Sequence, residues 1–275
     1  MRFYTEKDID VFETVQFLYI KTLLEDHIFR ITLNRPEKRN AFTPTMAEEI
    51  TFALAYAHYN PEVRCVILNA EGSVFCAGAD LNAFHNPDAD IKNEALPKIR
   101  EDVKLGDAFA QLLKPSIAQV EGSVLAGGFL LICGCTFVVS VNEAAYSLPE
   151  VKRGIWPMQV MASLLPVIPQ RKILEMAVTG KSYSANEAYQ LNLITQIVEK
   201  ENIAEEVNKL ADLICANGPF AIQIGMRTLQ KLADVQESER HTYLKNQLEK
   251  LLLSEDAKEG ALAFKEKRKP VWKGR

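Results

Sequence analysis

Several things are scarce in this chain of 275 residues, and each scarcity excludes something. No apolar run reaches the roughly eighteen residues that span a bilayer, and Met1 to Asp10 is too charged to be the apolar segment of a signal peptide. A soluble, cytoplasmic protein without a membrane partner is the expectation. Charge of either sign is nearly balanced, 32 basic against 36 acidic residues for a net −4, so a nucleic-acid partner recruited by overall positive charge is excluded. The five cysteines, Cys65, Cys76, Cys133, Cys135 and Cys215, are odd in number, and Cys133-Gly134-Cys135 has no nearby histidine. That pattern argues against a disulfide framework or a metal centre and for reduced, buried thiols. Low-complexity stretches and fixed-period repeats are also missing.

With 48% apolar and 25% charged residues, the chain can bury one sizeable core. After a polar leader, Phe17 to Leu24 and His27 to Leu33 are rich in aromatic and branched residues and read as a hairpin. Pro44 sits at a first helical position ahead of Met46, Ile50, Leu54 and Ala57 at helical spacing, and Asn60-Pro61 ends that helix. Val63 to Asn69 reads as a strand, Ile99 to Leu113 as an amphipathic helix, and Pro115 to Glu121 as a strand. Ala126 to Cys133 follows as a buried helix and Thr136 to Val141 as another strand. The alternation predicts an α/β core on a largely parallel sheet, residues 1–200, followed by a helical region, residues 201–275. Its helices are expected at Ala204 to Ala216, Pro219 to Ala233, Glu237 to Leu251 and Glu255 to Lys267, with the signal almost wholly helical from about Ser184. The polar loop from Asn82 to Pro97 is long enough to be a lid or a pocket wall.

Two segments put a strand end against glycine and a turn: Val74 to Asp80, containing Ala77-Gly78-Ala79, and Glu121 to Gly128, ending in Ala126-Gly127-Gly128. Each can turn backbone amides outward, the second on the first turn of a helix where unpaired N–H groups favour a developing negative charge. Either alone more often serves packing than catalysis. Together they suit an oxyanion hole, which needs two donors from different loops.

On these residues the sequence resembles the crotonase (enoyl-CoA hydratase/isomerase) family over nearly its whole length. The first segment is similar to that family's alanine-glycine-alanine-aspartate stretch and the second to its glycine-rich turn. Asn34-Arg35-Pro36-Glu37-Lys38-Arg39-Asn40-Ala41 resembles its CoA-contacting region, Leu148-Pro149-Glu150-Val151 through Gly154 its catalytic loop, and Phe264 to Pro270 its C-terminal tail. The resemblance implies a spiral of ββα turns with a helical C-terminal trimerisation region, and a homotrimer or dimer of trimers. It implies an acyl-CoA thioester as substrate, with coenzyme A arriving as part of it and no metal or redox cofactor. It assigns the oxyanion hole to the N–H groups of Ala77 and Gly127, and the catalytic acid/base to Glu150, whose neighbours Leu148, Pro149, Val151 and Ile155 suggest an apolar setting. Lys38, Ala41, Ala77, Gly78, Ala79, Asp80, Phe264 and Lys267 are implied on the CoA side. Asp80 reads first as a helix cap and Lys38 as a solvated charge, whereas for Lys267 the solvated and the CoA-side readings stand level.

Two departures narrow the chemistry. Where the hydratases carry a second glutamate, two places after Gly127-Gly128, this chain has Leu130, which cannot transfer a proton. Hydration is easiest with two carboxylates, whereas moving a double bond between positions 3 and 2 needs one base, so isomerisation stands slightly ahead of hydration. After Gly154 a glycine-rich turn is replaced by Ile155-Trp156-Pro157-Met158-Gln159-Val160, in which Trp156 and Met158 either reshape the acyl pocket or pack in the core. His85 is a further candidate proton donor or a solvent-facing loop residue. The alternative from a different class is a non-catalytic acyl-CoA-binding or assembly protein with a decayed acid site.

Overall fold

The computed structural model describes residues 1–275. Six strands form one sheet in the order β1-β2-β3-β5-β7-β10: β1 Ile20–Glu25, β2 Ile28–Leu33, β3 Cys65–Ala70, β5 Ser116–Val120, β7 Phe137–Val141 and β10 Gln196–Val198. Only β1 and β2 are antiparallel, joined through Asp26 and His27, both at positive φ (49° and 69°), the twist that a two-residue hairpin requires. The other neighbours run parallel. A second sheet of four short strands, β4 Val74–Cys76, β6 Ser123–Leu125, β8 Ala145–Ser147 and β9 Ser182–Ser184, has β4, β6 and β8 parallel and β9 antiparallel. Residue patterning did not delimit its strands, because three residues are too few to display a period of two, although the resemblance implied a spiral of ββα turns.

The helices are α1 Pro44–Tyr59, α2 Leu81–His85, α3 Leu105–Ala110, α4 Phe129–Ile132, α5 Met158–Leu164, α6 Gln170–Thr179, α7 Ala185–Gln190, α8 Ile203–Cys215, α9 Pro219–Leu232, α10 Arg240–Leu252 and α11 Glu255–Glu266. Pro44 does open α1, with Thr43 as N-cap accepting the Met46 N–H at 3.1 Å. The four C-terminal helices fall within a few residues of their expected limits, and α8 packs on β3, β5 and β7. The stretch after Ser184 is not wholly helical, however, since β10 adds a parallel strand beside β7.

Two other expectations are corrected. The leader is polar only on average: Phe3 and Tyr4 are 0% exposed, Glu6–Thr14 forms a 3-10 helix, and Phe12 stacks on Tyr56 at 3.7 Å. Charged residues between these aromatics conceal them from a window average. The helix expected over 99–113 is formed only at Leu105–Ala110. Upstream of it, Leu96, Ile99 and Val103 pack against the core, and the Arg100 N–H donates to the Phe3 carbonyl at 3.3 Å, so tertiary contact with the N-terminal segment displaces local helix propensity.

No helix is long and apolar enough to cross a membrane.

Candidate active site

Parallel pairing aligns three chain exits. Beyond the C-terminal ends of β4, β6 and β8 lie Ala77-Gly78-Ala79, Ala126-Gly127 and Leu148-Pro149-Glu150 respectively. Loops that leave the carboxyl ends of parallel strands are the usual place for a ligand in open α/β sheets.

The first two exits touch. A Cβ built on Gly78 would lie 2.7 Å from the Ala126 Cβ and 2.9 Å from the Gly127 nitrogen, so only glycine allows this approach, and its φ of +93° again favours glycine. A Cβ on Gly127 would lie 3.3 Å from the Ala79 nitrogen and 3.0 Å from two ring atoms of Phe42. Ala126 itself adopts φ +51°, an uncommon conformation for a non-glycine residue, which turns the chain sharply into the first turn of the Ala126–Gly128 helix.

The resemblance assigned one oxyanion amide to Ala77, and the geometry corrects this. The Ala77 N–H donates to the Arg39 carbonyl at 3.0 Å and is spent. Two residues on, the chain bridges to Phe42: Phe42 N–H donates to Gly78 O and Asp80 N–H to Phe42 O, each at 2.9 Å. In extended backbone successive N–H groups alternate sides, so the Ala79 N–H faces away from Phe42, and it has no acceptor in the protein. Ala79, not Ala77, presents the free donor beside Gly127.

The loop from Asn34 to Ala41 holds this edge in place. Arg35 is buried and donates to Asp80 Oδ2 and to the Ala41 carbonyl, both at 2.8 Å. Asn40 accepts the Arg35 N–H at 2.9 Å and donates to the carbonyls of Glu71 and Val74, both at 2.8 Å. Asp80 also caps α2, accepting the Ala83 N–H at 3.4 Å, so its cap role is present together with its ion pair. Burial pushes the Asp80 carboxyl upward, but Arg35 and the Ala83 N–H outweigh it and hold the group below the usual carboxylate range. Arg35 and Asn40 were visible in the motif without a role; what their side chains reach is set by contacts 31 to 45 residues away in sequence.

Glu150 lies in the 3-10 turn Pro149–Arg153, which ends on Gly154 at φ +71°. It is 9% exposed, and its Oε2 is buried without a hydrogen-bond partner. Burial raises its carboxyl above the ordinary range, opposed by its own backbone N–H and by Arg153. An orphaned carboxylate oxygen is costly in a fold, and a carboxyl that holds its proton more readily than an ordinary glutamate is suited to acid/base work. Leu130, in α4, is buried, and its Cδ2 would lie 3.9 Å from a Cβ placed on Gly106.

Other candidates separate from this edge. His85 is exposed, with Nδ1 bound to the Leu81 carbonyl at 2.6 Å. Trp156 is partly buried against the core and donates to the Met161 sulfur at 3.2 Å, whereas Met158 is 68% exposed, so core packing does not hold for it. The segment 82–97 is tethered rather than free: Asp90 accepts the Thr45 N–H at 2.8 Å and Asn93 donates to Glu49 at 2.7 Å. Together with Pro44, Thr45 and Glu48 it walls a cavity of about 590 Å³, and its Phe84 meets Phe42 edge to face at 6.1 Å. Lys38 is exposed in a short turn. Phe264 is 88% exposed, on α11, which packs on α9 and α10, and Lys267 ends that helix; no hydrogen bond or ion pair ties either side chain to the Lys38 loop.

The family model for enoyl-CoA hydratase/isomerase matches residues 24–275. The chain belongs to that family. An enoyl-CoA hydratase of Mycobacterium tuberculosis is 34% identical over 252 residues, covering 90% of this chain and 94% of the relative. The carnitinyl-CoA dehydratase of Escherichia coli K12 is 33% identical over 257 residues, with 90% and 95% covered. The solved structure of a Mycobacterium marinum enoyl-CoA hydratase superposes with a TM-score of 0.82 at 31% identity, over 94% of this chain and 99% of that one. The protein is thus an acyl-CoA enzyme of the lyase and isomerase type with the crotonase fold, and the matched span leaves the aromatic N-terminal segment before residue 24 outside the family model.

Proposed function

We propose that the enzyme moves the double bond of an enoyl-CoA thioester, with Glu150 as its single proton carrier and the N–H groups of Ala79 and Gly127 receiving the thioester oxygen. Glu150 takes a proton from the carbon next to the carbonyl, the electrons pass to the oxygen as a dienolate, and the same carboxyl returns the proton two carbons farther on. Charge develops between two amides that cost nothing to reorient, which makes each worth about 3 kcal/mol in the transition state. The observation that carries this reading is the orphaned, buried Oε2 of Glu150 in a chain whose second acid position is Leu130.

Hydration is the second reading, favoured by the names of the relatives, which include hydratases and a dehydratase. It requires a water oriented without a second carboxylate. Non-catalytic acyl-CoA binding is the reading from another class. Lys38 and Ala41 would contact the CoA moiety. Phe264 and Lys267 would reach a CoA only within an oligomer, and the exposed Leu229, Leu248, Leu252, Leu253 and Phe264 of the C-terminal helices offer apolar surface for packing subunits as a homotrimer or a dimer of trimers.

The deciding experiment follows 3-enoyl-CoA isomerisation and 2-enoyl-CoA hydration on the wild type and Glu150→Gln. Isomerisation lost in the variant supports the proposal. Rapid hydration without isomerisation transfers the case to the second reading, and tight thioester binding without turnover to the third.

A further inference from the structure

The N-terminal ends of β3 and β5, in the six-stranded sheet, carry charge that the reaction does not use. Arg64 precedes β3, Lys114 precedes β5, and His58 lies in the last turn of α1. A cavity of about 240 Å³ is lined by His58, Arg64, Lys114 and Lys273, with Glu62 as its one carboxylate. His58 also lines a second, adjoining cavity with Arg227 and Lys231, and that one has no carboxylate.

Lys273 pairs with Glu255 at 3.2 Å, but Arg64, Lys114, Arg227 and Lys231 form no ion pair with an acid. Arg64 donates to the Cys215 carbonyl at 3.2 Å, and Lys114 donates to the Asn60 carbonyl. Arg227 makes neither a hydrogen bond nor an ion pair, and Glu62 is 3.7 Å from His27 rather than on a lysine or arginine. Like charges gathered without counter-charge destabilise a fold. The imidazole among them is also incomplete, because His58 Nδ1 is buried and has no partner. Protonation is suppressed as this crowding demands: burial, then the facing cations, take His58 down to about 4, and burial takes Lys114 down to about 7 although Glu62 pulls it back.

We propose that these joined cavities bind a small phosphate-type anion, neutralised by Arg64, Lys114 and Arg227 and hydrogen-bonded by protonated His58 through Nδ1. The site is separate from the thioester edge, since neither cavity is lined by any residue of the exits from β4, β6 and β8. Free phosphate and a phosphate ester share this chemistry, so both are tested.

The experiment is calorimetric titration of the full chain at pH 7 and low salt with inorganic phosphate, and separately with adenosine 3′,5′-bisphosphate, each in two buffers of different ionisation enthalpy. One saturable phosphate per chain is expected, with proton uptake, because an anion raises the proton affinity of His58 and Lys114. Arg227→Gln, at an exposed position that holds no hydrogen bond, should weaken binding about tenfold and leave thioester turnover unchanged. Arg64→Gln should do the same if it folds. Tighter binding of the bisphosphate, with the same loss in Arg227→Gln, identifies an ester as the ligand; tighter binding of phosphate identifies the free ion. Absence of saturation, absence of proton uptake, or indifference to Arg227→Gln means an adventitious ion only and overturns the proposal.

Discussion

The C-terminal ends of the four-stranded sheet's parallel strands and the N-terminal ends of β3 and β5 in the six-stranded sheet are built from different materials. Past β4, β6 and β8 the chain presents backbone amides and one carboxylate; before β3 and β5 it presents long cationic side chains. Amides at the first end are placed by glycines and by the Arg35–Asn40–Asp80 hydrogen bonds, so no side-chain donor can stand in for them and only changes at the residues that hold them reach them. Cations at the second end are individually replaceable. A transition state needs the first kind of precision and an equilibrium ligand tolerates the second.

Substitution at the carboxylate should break the comparison hardest. Glu150→Gln is expected to lower turnover by about 10²–10⁴-fold with little change in KM, measured on 3-enoyl-CoA. Because folding raises the Glu150 carboxyl, the native state binds the proton more readily than the unfolded chain, and stability falls as pH rises through the folded value. Glu150→Gln should therefore melt higher than wild type at pH 7, at roughly 2–4 °C per kcal/mol, with the gap closing in acid. The same shift places the acid limb of the kcat/KM profile above the ordinary glutamate range, and the limb should vanish in any residual activity of the variant.

Gly127→Ala comes next, since its Cβ must push on Phe42 and on the Ala79 amide. A loss of about 10²–10³-fold in turnover is expected. Phe42→Leu in the same chain should restore part of it; no restoration would mean that the alanine acts elsewhere. Arg35→Met leaves the partly buried Asp80 without its partner and should cost about 1–3 kcal/mol in denaturant unfolding, while Arg35→Met with Asp80→Leu should recover much of that. The smallest effect on catalysis is at the far end, where Arg227→Gln should leave turnover within error of wild type. A clear fall there would join the two ends and end the comparison.

Long periodic segments were legible, and short ones were not. The α8, α9 and α11 boundaries follow from apolar spacing and from Gly218-Pro219, because helices of 13, 14 and 12 residues repeat their signal several times. Strands of three residues in the second sheet repeat nothing, yet that sheet aligns the site. Phe3, Tyr4 and Phe12 are a core cluster hidden in a charged leader, and the lost first half of the helix expected over 99–113 is the reciprocal of that cluster's packing.

Residue identity alone determined the family motifs, the presence of Glu150 and the replacement of the second acid by Leu130, because proton transfer depends on what a side chain is. Which amide faces the substrate was decided only by tertiary structure. Ala77 and Ala79 are identical residues on either side of Gly78, and the difference is that one N–H is consumed by Arg39 while pairing with Phe42 turns the other free. Hydrogen-bond direction depends on φ, ψ and a distant partner, and none of these is written in the residue names.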